Sequence, residues 1–148
     1  MLLVKTYVDK SSIEGVGLFA NEFIPKGTIV WKLSTLDIKL KVRKGDLLLL
    51  APNTIEYIFK YAFMDKQHNE FILSFDNDRF TNHSYSPNTI PLDNGDMIAA
   101  RDIAIGEEIT ANYYDIDDYA DDKLQVLINK NKWIFGQMDV SIFYTQGI

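Results

Sequence analysis

Arg79-Phe80-Thr81-Asn82-His83-Ser84-Tyr85-Ser86-Pro87-Asn88 is the stretch on which the reading of this chain turns. It is too polar, and too interrupted by Pro87, to be a buried strand. Asn, Ser and Pro suit a loop that satisfies its own backbone. It is answered downstream by Gly106-Glu107-Glu108-Ile109-Thr110-Ala111-Asn112-Tyr113, a turn followed by a short strand, Ile109 to Tyr113. Upstream, Glu14-Gly15-Val16-Gly17-Leu18-Phe19 holds two glycines around one residue, which lets a backbone bend tightly and lets a ligand approach it. That segment lacks the third glycine and the following helix of a dinucleotide or phosphate loop.

His83 invites two other readings. A triad would need a nucleophile in reach, but adjacency of Ser84 gives no triad geometry and no nucleophile elbow surrounds it. A metal site would need further ligands, yet the chain has two histidines, His68 and His83, without helical ligand spacing, and no cysteine. The acidic run from Asp115 to Asp122 fails the calcium-loop pattern, with Ala120 where the glycine belongs and Val126 where the glutamate belongs. It is expected to be a solvated helix start, or an acidic rim for a cationic substrate.

The 148 residues fit one domain, and 47% hydrophobic with 24% charged content marks a globular chain. Absence of cysteine excludes disulfides and thiol chemistry. No signal-peptide pattern opens the chain, and the apolar run Leu47 to Ala51 is far too short to span a bilayer. An intracellular location is expected. A net charge of −6 disfavours a nucleic-acid partner and favours a basic one.

Several short strands are expected: residues 2–9 at a sheet edge, 17–20, 28–33, 71–75 and a hairpin of 89–92 with 97–100. The hairpin is expected to turn through Asn94-Gly95 in a type I′ geometry, with Pro91 on an edge strand. Asp46 is expected to cap a short helix that Pro52 ends. Ile55, Ile58, Phe59, Ala62 and Phe63 recur at helical spacing and predict a helix over Thr54 to Met64 that packs into the core. A second helix is expected over Asp118 to Asn129, before an aromatic tail.

Together these segments resemble the SET domain, the fold of protein-lysine methyltransferases. Gly15 to Phe19 is similar to its amino-terminal GxG motif, Arg79 to Asn88 to its RFxNHSxxPN motif, and Arg101-Asp102-Ile103 with Gly106 to Tyr113 to its RDIxxGEELTxxY motif. The resemblance implies a mainly β fold of small, mostly antiparallel sheets with a carboxy-terminal pseudoknot, a short helical insertion at about 45–65 and a helical, aromatic tail. Residues 1–115 would form the SET domain, and 116–148 a segment packing on the same domain.

It also implies S-adenosylmethionine as methyl donor and a lysine of a protein, basic by charge complementarity, as acceptor. Glu14, Gly15, Val16 and Gly17 would hold the cofactor, the Asn82 side chain its amino-acid end and the His83 backbone its adenine. Tyr113 would be the catalytic tyrosine at the inner end of a lysine channel, also touching the cofactor. Glu107 and Glu108 would be structural carboxylates and Arg101 a structural partner. The family often carries cysteine where Tyr85 stands and an aromatic where Ala111 stands. Without a zinc-bound flank, the tail around Trp133 and Phe135 is expected to close the substrate channel, with Trp133 or Phe135 covering the cofactor. The alternatives are a SET-like module that binds a basic peptide without catalysis, or a small-molecule methyltransferase. Monomer and homodimer both stay open.

Overall fold

The computed structural model describes residues 1–40, 49–65, 70–117 and 120, arranged as small sheets with short helices. β1 (Thr6–Lys10) and β2 (Val16–Ala20) pair antiparallel, with Tyr7 opposite Phe19 and their rings stacked 5.5 Å apart. The sheet continues to β10 (Glu108–Ala111) and then to β7 (Asn82–His83). β1 is therefore at an edge, as its loose alternation implies. β10 comes last of the four in sequence, yet it lies between two strands made earlier. It runs antiparallel to β2, with Ile109 opposite Leu18, and parallel to β7, with Ala111 opposite His83. This is the threading that the resemblance implies. Leu18, Ala20, Ile24, Val30, Ala99, Ile103 and Ile109 form the buried cluster behind it.

Asn88 fixes β10 in that slot. Its side chain is 1% exposed. Nδ2 donates to the Glu108 carbonyl at 2.8 Å and to Glu107 Oε1 at 3.0 Å, while Oδ1 accepts from the Thr110 N–H at 2.8 Å. The Asn88 amide thus replaces a missing ladder partner for β10, which answers why a polar residue is fully buried here.

The second sheet joins β3 (Ile29–Trp31), β9 (Met97–Ala99) and β8 (Thr89–Pro91), in that order. Pro91 is on an edge strand as expected. The hairpin turn differs from the expected geometry. The Gly95 N–H donates to Leu92 O at 2.8 Å, which makes Asp93 and Asn94 the central pair, and Gly95 follows at φ 83°. Asn94 Oδ1 accepts from the Asp96 N–H at 3.1 Å, and the Leu92 N–H donates to Asp96 O at 2.8 Å. The loop is one residue longer than an Asn-Gly turn, and only glycine takes the left-handed position cheaply.

The third sheet, β4 (Ile38–Leu40), β6 (Glu70–Leu73) and β5 (Ala62–Asp65), packs under α1 (Pro52–Tyr61). Pro52 opens α1, two residues before the expected start at Thr54, because a first-turn residue needs no amide hydrogen. The helix also stops at Tyr61, and Ala62 to Asp65 pair with β6, Phe63 opposite Ile72. Ala62 fits both periods: it follows Ile58 by four residues, and it begins the in-out alternation Ala62, Met64. Ile55, Ile58 and Phe59 do face the core, where Phe59 meets Phe71 edge-on at 5.9 Å. The helix expected to be capped by Asp46 and most of the Asp118–Asn129 helix lie outside the described residues.

Replacing Asn88 with alanine would leave the β10 backbone and Glu107 without buried partners. We expect a loss of about 3 kcal/mol in urea unfolding, against less than about 0.5 kcal/mol for the exposed Asn94→Ala.

Candidate functional site

The site is assembled where the GxG loop, β7 and the end of β10 meet. Gly15 sits at φ 51°, with nothing near the position a Cβ would take. Gly17 is required for a different reason. A Cβ there would overlap Oε1 of Glu108 and stand 2.7 Å from its Cδ and 3.2 Å from Ser11 Cβ. That carboxylate cannot swing aside easily. It accepts from Ser11 Oγ at 2.8 and 2.9 Å and from Asn82 Nδ2 at 2.8 Å. Asn82 Nδ2 also donates to the carbonyls of Glu14 and Val16, both at 3.1 Å. One buried amide therefore holds the two ends of the glycine loop and the first residue of β10 together.

The sequence expectation gave the Asn82 side chain to the cofactor. In the structure its nitrogen is spent on the loop. No described residue donates to its Oδ1, which is an acceptor suited to an ammonium group. Gly15 and Val16, together with Asn82, Tyr61, Arg79 and Tyr113, line a shallow cleft enclosing about 20 Å³. That is room for about one water, so a nucleoside would rest on this surface as on a shelf. The open space at Gly15, the acceptor oxygen of Asn82 and the backbone at the loop fit the amino-acid end of S-adenosylmethionine.

Tyr113 does not end a strand. It opens α2 (Tyr113–Ile116), whose Asn112 cap accepts from the Tyr114 N–H at 3.2 Å. The ring is 5% exposed, and its hydroxyl donates to the Thr81 carbonyl at 2.8 Å. Burial, then the carboxylates of Asp117, Asp78, Glu108 and Glu14, push the phenol well above its ordinary range. This favours the neutral hydroxyl. Asp117, expected among solvated acids, is instead buried, and its Oδ1 accepts from the Met64 N–H at 3.3 Å.

His83 holds Tyr113 from the other side. Its Nδ1 accepts from the Tyr113 N–H at 3.2 Å, while its Nε2 is buried without a protein partner. Burial lowers the pKa of the ring, so it is neutral, as an accepting Nδ1 requires. Tyr85 meets His83 edge-on at 4.5 Å and stacks with Tyr114 at 6.3 Å. Aromatic packing thus occupies the place where the family often has cysteine. Glu107 and Glu108 are structural, as is Arg101, whose Nη2 pairs with Glu107 Oε1 at 2.6 Å. Burial alone would raise the Glu107 pKa, but bonds from Arg101, the Ala104 N–H and Asn88 bring it below the ordinary value.

On the far side of Tyr113 lies a cavity of about 230 Å³. Val30, Trp31, Phe63, Met97 and Ile109 supply apolar walls, and Asp65, Asp78, Asp93 and Asp115 also line it. Tyr61, Arg79, Thr81 and Tyr113 are common to the cavity and the shallow cleft. Sequence reasoning missed Asp78 and Thr81; the polar turn Asp76-Asn77-Asp78 was the one available signal. Trp133 and Phe135 lie outside the described residues. Among the described residues no group of histidines and acids could hold a metal, and no helix is long and apolar enough to cross a membrane.

Comparison with known proteins agrees with this geometry. The SET-domain family profile matches residues 15–114, and the chain belongs to the SET-domain family. The fold is similar to the crystal structure of a candidate histone methyltransferase of Plasmodium falciparum, with a TM-score of 0.50 and 22% identity over 76% of this chain and 95% of that one. It is also similar to a chain of the apo ctPRC2 complex with two substitutions in Ezh2, with a TM-score of 0.56 and 22% identity. That likeness covers 82% of this chain and 16% of the other, so the present chain spans about one sixth of that protein. No curated protein matches the chain significantly by sequence.

Gly17→Ala is expected to cost about 2 kcal/mol through overpacking against Glu108. In a Glu108→Ala background the same substitution should cost clearly less, as a double-mutant cycle in urea would measure. Equal costs in the two backgrounds would remove the steric role of Gly17.

Proposed function

We propose that this protein is an S-adenosylmethionine-dependent lysine methyltransferase acting on a protein substrate. Family membership supports methyl transfer in general. One observation carries the finer reading: Tyr113 and Thr81 are the shared wall between a cleft at the glycine loop and an apolar, acid-lined cavity. Two spaces that meet at the same residues suit a two-substrate transfer, with donor in one, acceptor in the other and the methyl passing where they join.

When bound, S-adenosylmethionine supplies a sulfonium methyl group that passes in line to a neutral amine, the C–S electron pair leaving to sulfur. The protein's own part is alignment and charge placement. Glu14 to Gly17 and the Asn82 oxygen would hold the donor's amino-acid end, and the backbone at His83 its base. The cavity would admit the lysine stem, and its apolar walls would favour loss of the ammonium proton, lowering the pKa from about 10.4. Holding amine and methyl at about 3 Å supplies most of the acceleration. Tyr113, kept neutral and anchored to Thr81, would orient the amine, and the Thr81 carbonyl dipole would favour the cationic methyl group.

The net charge of −6 and the acid-lined cavity favour a basic protein. A catalytically silent peptide-binding module has less use for the Asn82 and Gly17 arrangement, which shapes a surface away from the acceptor side. An intracellular setting is the one in which such a donor is available.

Calorimetry with S-adenosylmethionine is expected to show binding to the wild type and equal binding to Tyr113→Phe. Turnover of the variant on a methylated substrate should fall about a hundredfold. No binding at millimolar cofactor would overturn the enzyme reading, and unchanged turnover would remove Tyr113 from the chemistry.

A further inference from the structure

Asp78 is a carboxylate without an evident reason to be where it is. It belongs to the 3-10 turn Asn77–Phe80. The turn does not need its side chain, because Asp76 already caps it, accepting the Asp78 N–H at 3.1 Å. The Asp78 carboxylate instead turns to neutral hydroxyls: Ser74 Oγ donates to Oδ2 at 3.0 Å and Thr81 Oγ1 to Oδ1 at 3.4 Å. No described residue forms an ion pair with it. Arg79, next in the chain, lies over the Phe80 ring at 5.2 Å. A half-buried carboxylate with no ion-pair partner among the described residues leaves its charge to face the cavity it lines.

Asp78 lines the large cavity, as do Thr81 and Tyr113. Thr81 links them: its hydroxyl reaches Asp78, and its carbonyl receives the Tyr113 hydroxyl at 2.8 Å. The anion therefore sits one residue away from the tyrosine, in a wall otherwise largely apolar. A ligand that satisfies both features has a long aliphatic stem and a cationic end.

We propose that Asp78 is the anionic anchor of this cavity, receiving the ε-ammonium of an incoming lysine side chain. The inference rests on reading the cavity as the acceptor side of a methyltransferase. An anion favours the charged amine, so Asp78 serves capture and not deprotonation, which falls to the apolar walls and the donor's charge.

Burial raises the Asp78 pKa to about 6, with Ser74 opposing and the Asp76 charge adding to the rise. The other charged groups around it are Arg79 on the same turn, Asp65 of β5, Asp93 of the hairpin, Asp115 of α2 and the amino terminus of Met1, which pairs with Asp37 at 3.7 Å. A carboxyl whose folded pKa is raised stabilises the fold below its unfolded value and loses that contribution as pH rises through about 6. The charge at neutral pH is thus held at a cost to stability, and Asp78→Asn should fold at least as stably at pH 8.

The test uses N-acetyl-lysine methylamide as probe, followed by amide chemical-shift titration of the whole protein. Its norleucine counterpart is the uncharged control. The wild type should bind the lysine probe at pH 8 and lose affinity on acidification through about 6. Asp78→Asn should bind about tenfold more weakly at pH 8 and show no change over the same range. The norleucine probe should bind both proteins alike. Equal binding of the lysine probe by both proteins, or no binding to the wild type, overturns the proposal. The wild-type pH titration decides it even if the variant misfolds. Failure to bind S-adenosylmethionine would strike the methyltransferase reading alone, and the cation site would still stand or fall on the lysine probe.

Discussion

The carboxylate of Glu108 sits between three elements that are far apart in sequence. It takes the Ser11 hydroxyl, the Asn82 amide and the space that only a glycine at position 17 can leave. Because Asn82 also holds the carbonyls of Glu14 and Val16, the glycine loop is fixed relative to β7 and β10 as one body. Remove that node and the cleft loses its floor. The adjoining Asn88 network does the same for the β10 backbone, so two asparagines carry the join between distant parts of the chain. Such networks are costly when incomplete, which makes the geometry specific as well as stable.

That join decides what the site can do. Tyr113 follows β10 directly, so whatever positions β10 positions the tyrosine. His83 takes its N–H and Thr81 takes its O–H, one contact at each end of the residue. The ring is held at both ends, its ionisation is disfavoured by burial, and it lines both the cleft and the cavity. Under the proposed function, alignment of two bound groups beside a fixed tyrosine would supply most of the catalysis, since methyl transfer needs little proton chemistry. Under the proposed function, the acid-lined cavity would attract a basic acceptor, in the same sense as the overall charge.

Much of this was legible in the sequence. The three motifs located the glycine loop, Asn82, His83 and Tyr113, and the sheet edges followed from alternation and from Pro91. What failed was local. Ala62 satisfies the helical and the strand period at once, so only the pairing with β6 could end the helix at Tyr61. Asn94-Gly95 mimics a two-residue turn, although the bond from Gly95 to Leu92 shifts it by one. The bonds from Asn82 to Glu14, Val16 and Glu108 were not legible, because those partners are distant in sequence. Asp78 was invisible for the same reason: its place in the cavity wall near Tyr113 is a tertiary fact.

The central claim is that a methyl donor and a protein lysine meet beside Tyr113. Incubating the purified protein with methyl-labelled S-adenosylmethionine and a cell lysate, then mapping the label by mass spectrometry, tests it most directly. The account predicts label on the ε-nitrogen of lysine in a basic protein, and none with Tyr113→Phe at matched time. Label confined to small molecules or to other side chains, or no label from a protein that binds the donor, would contradict it.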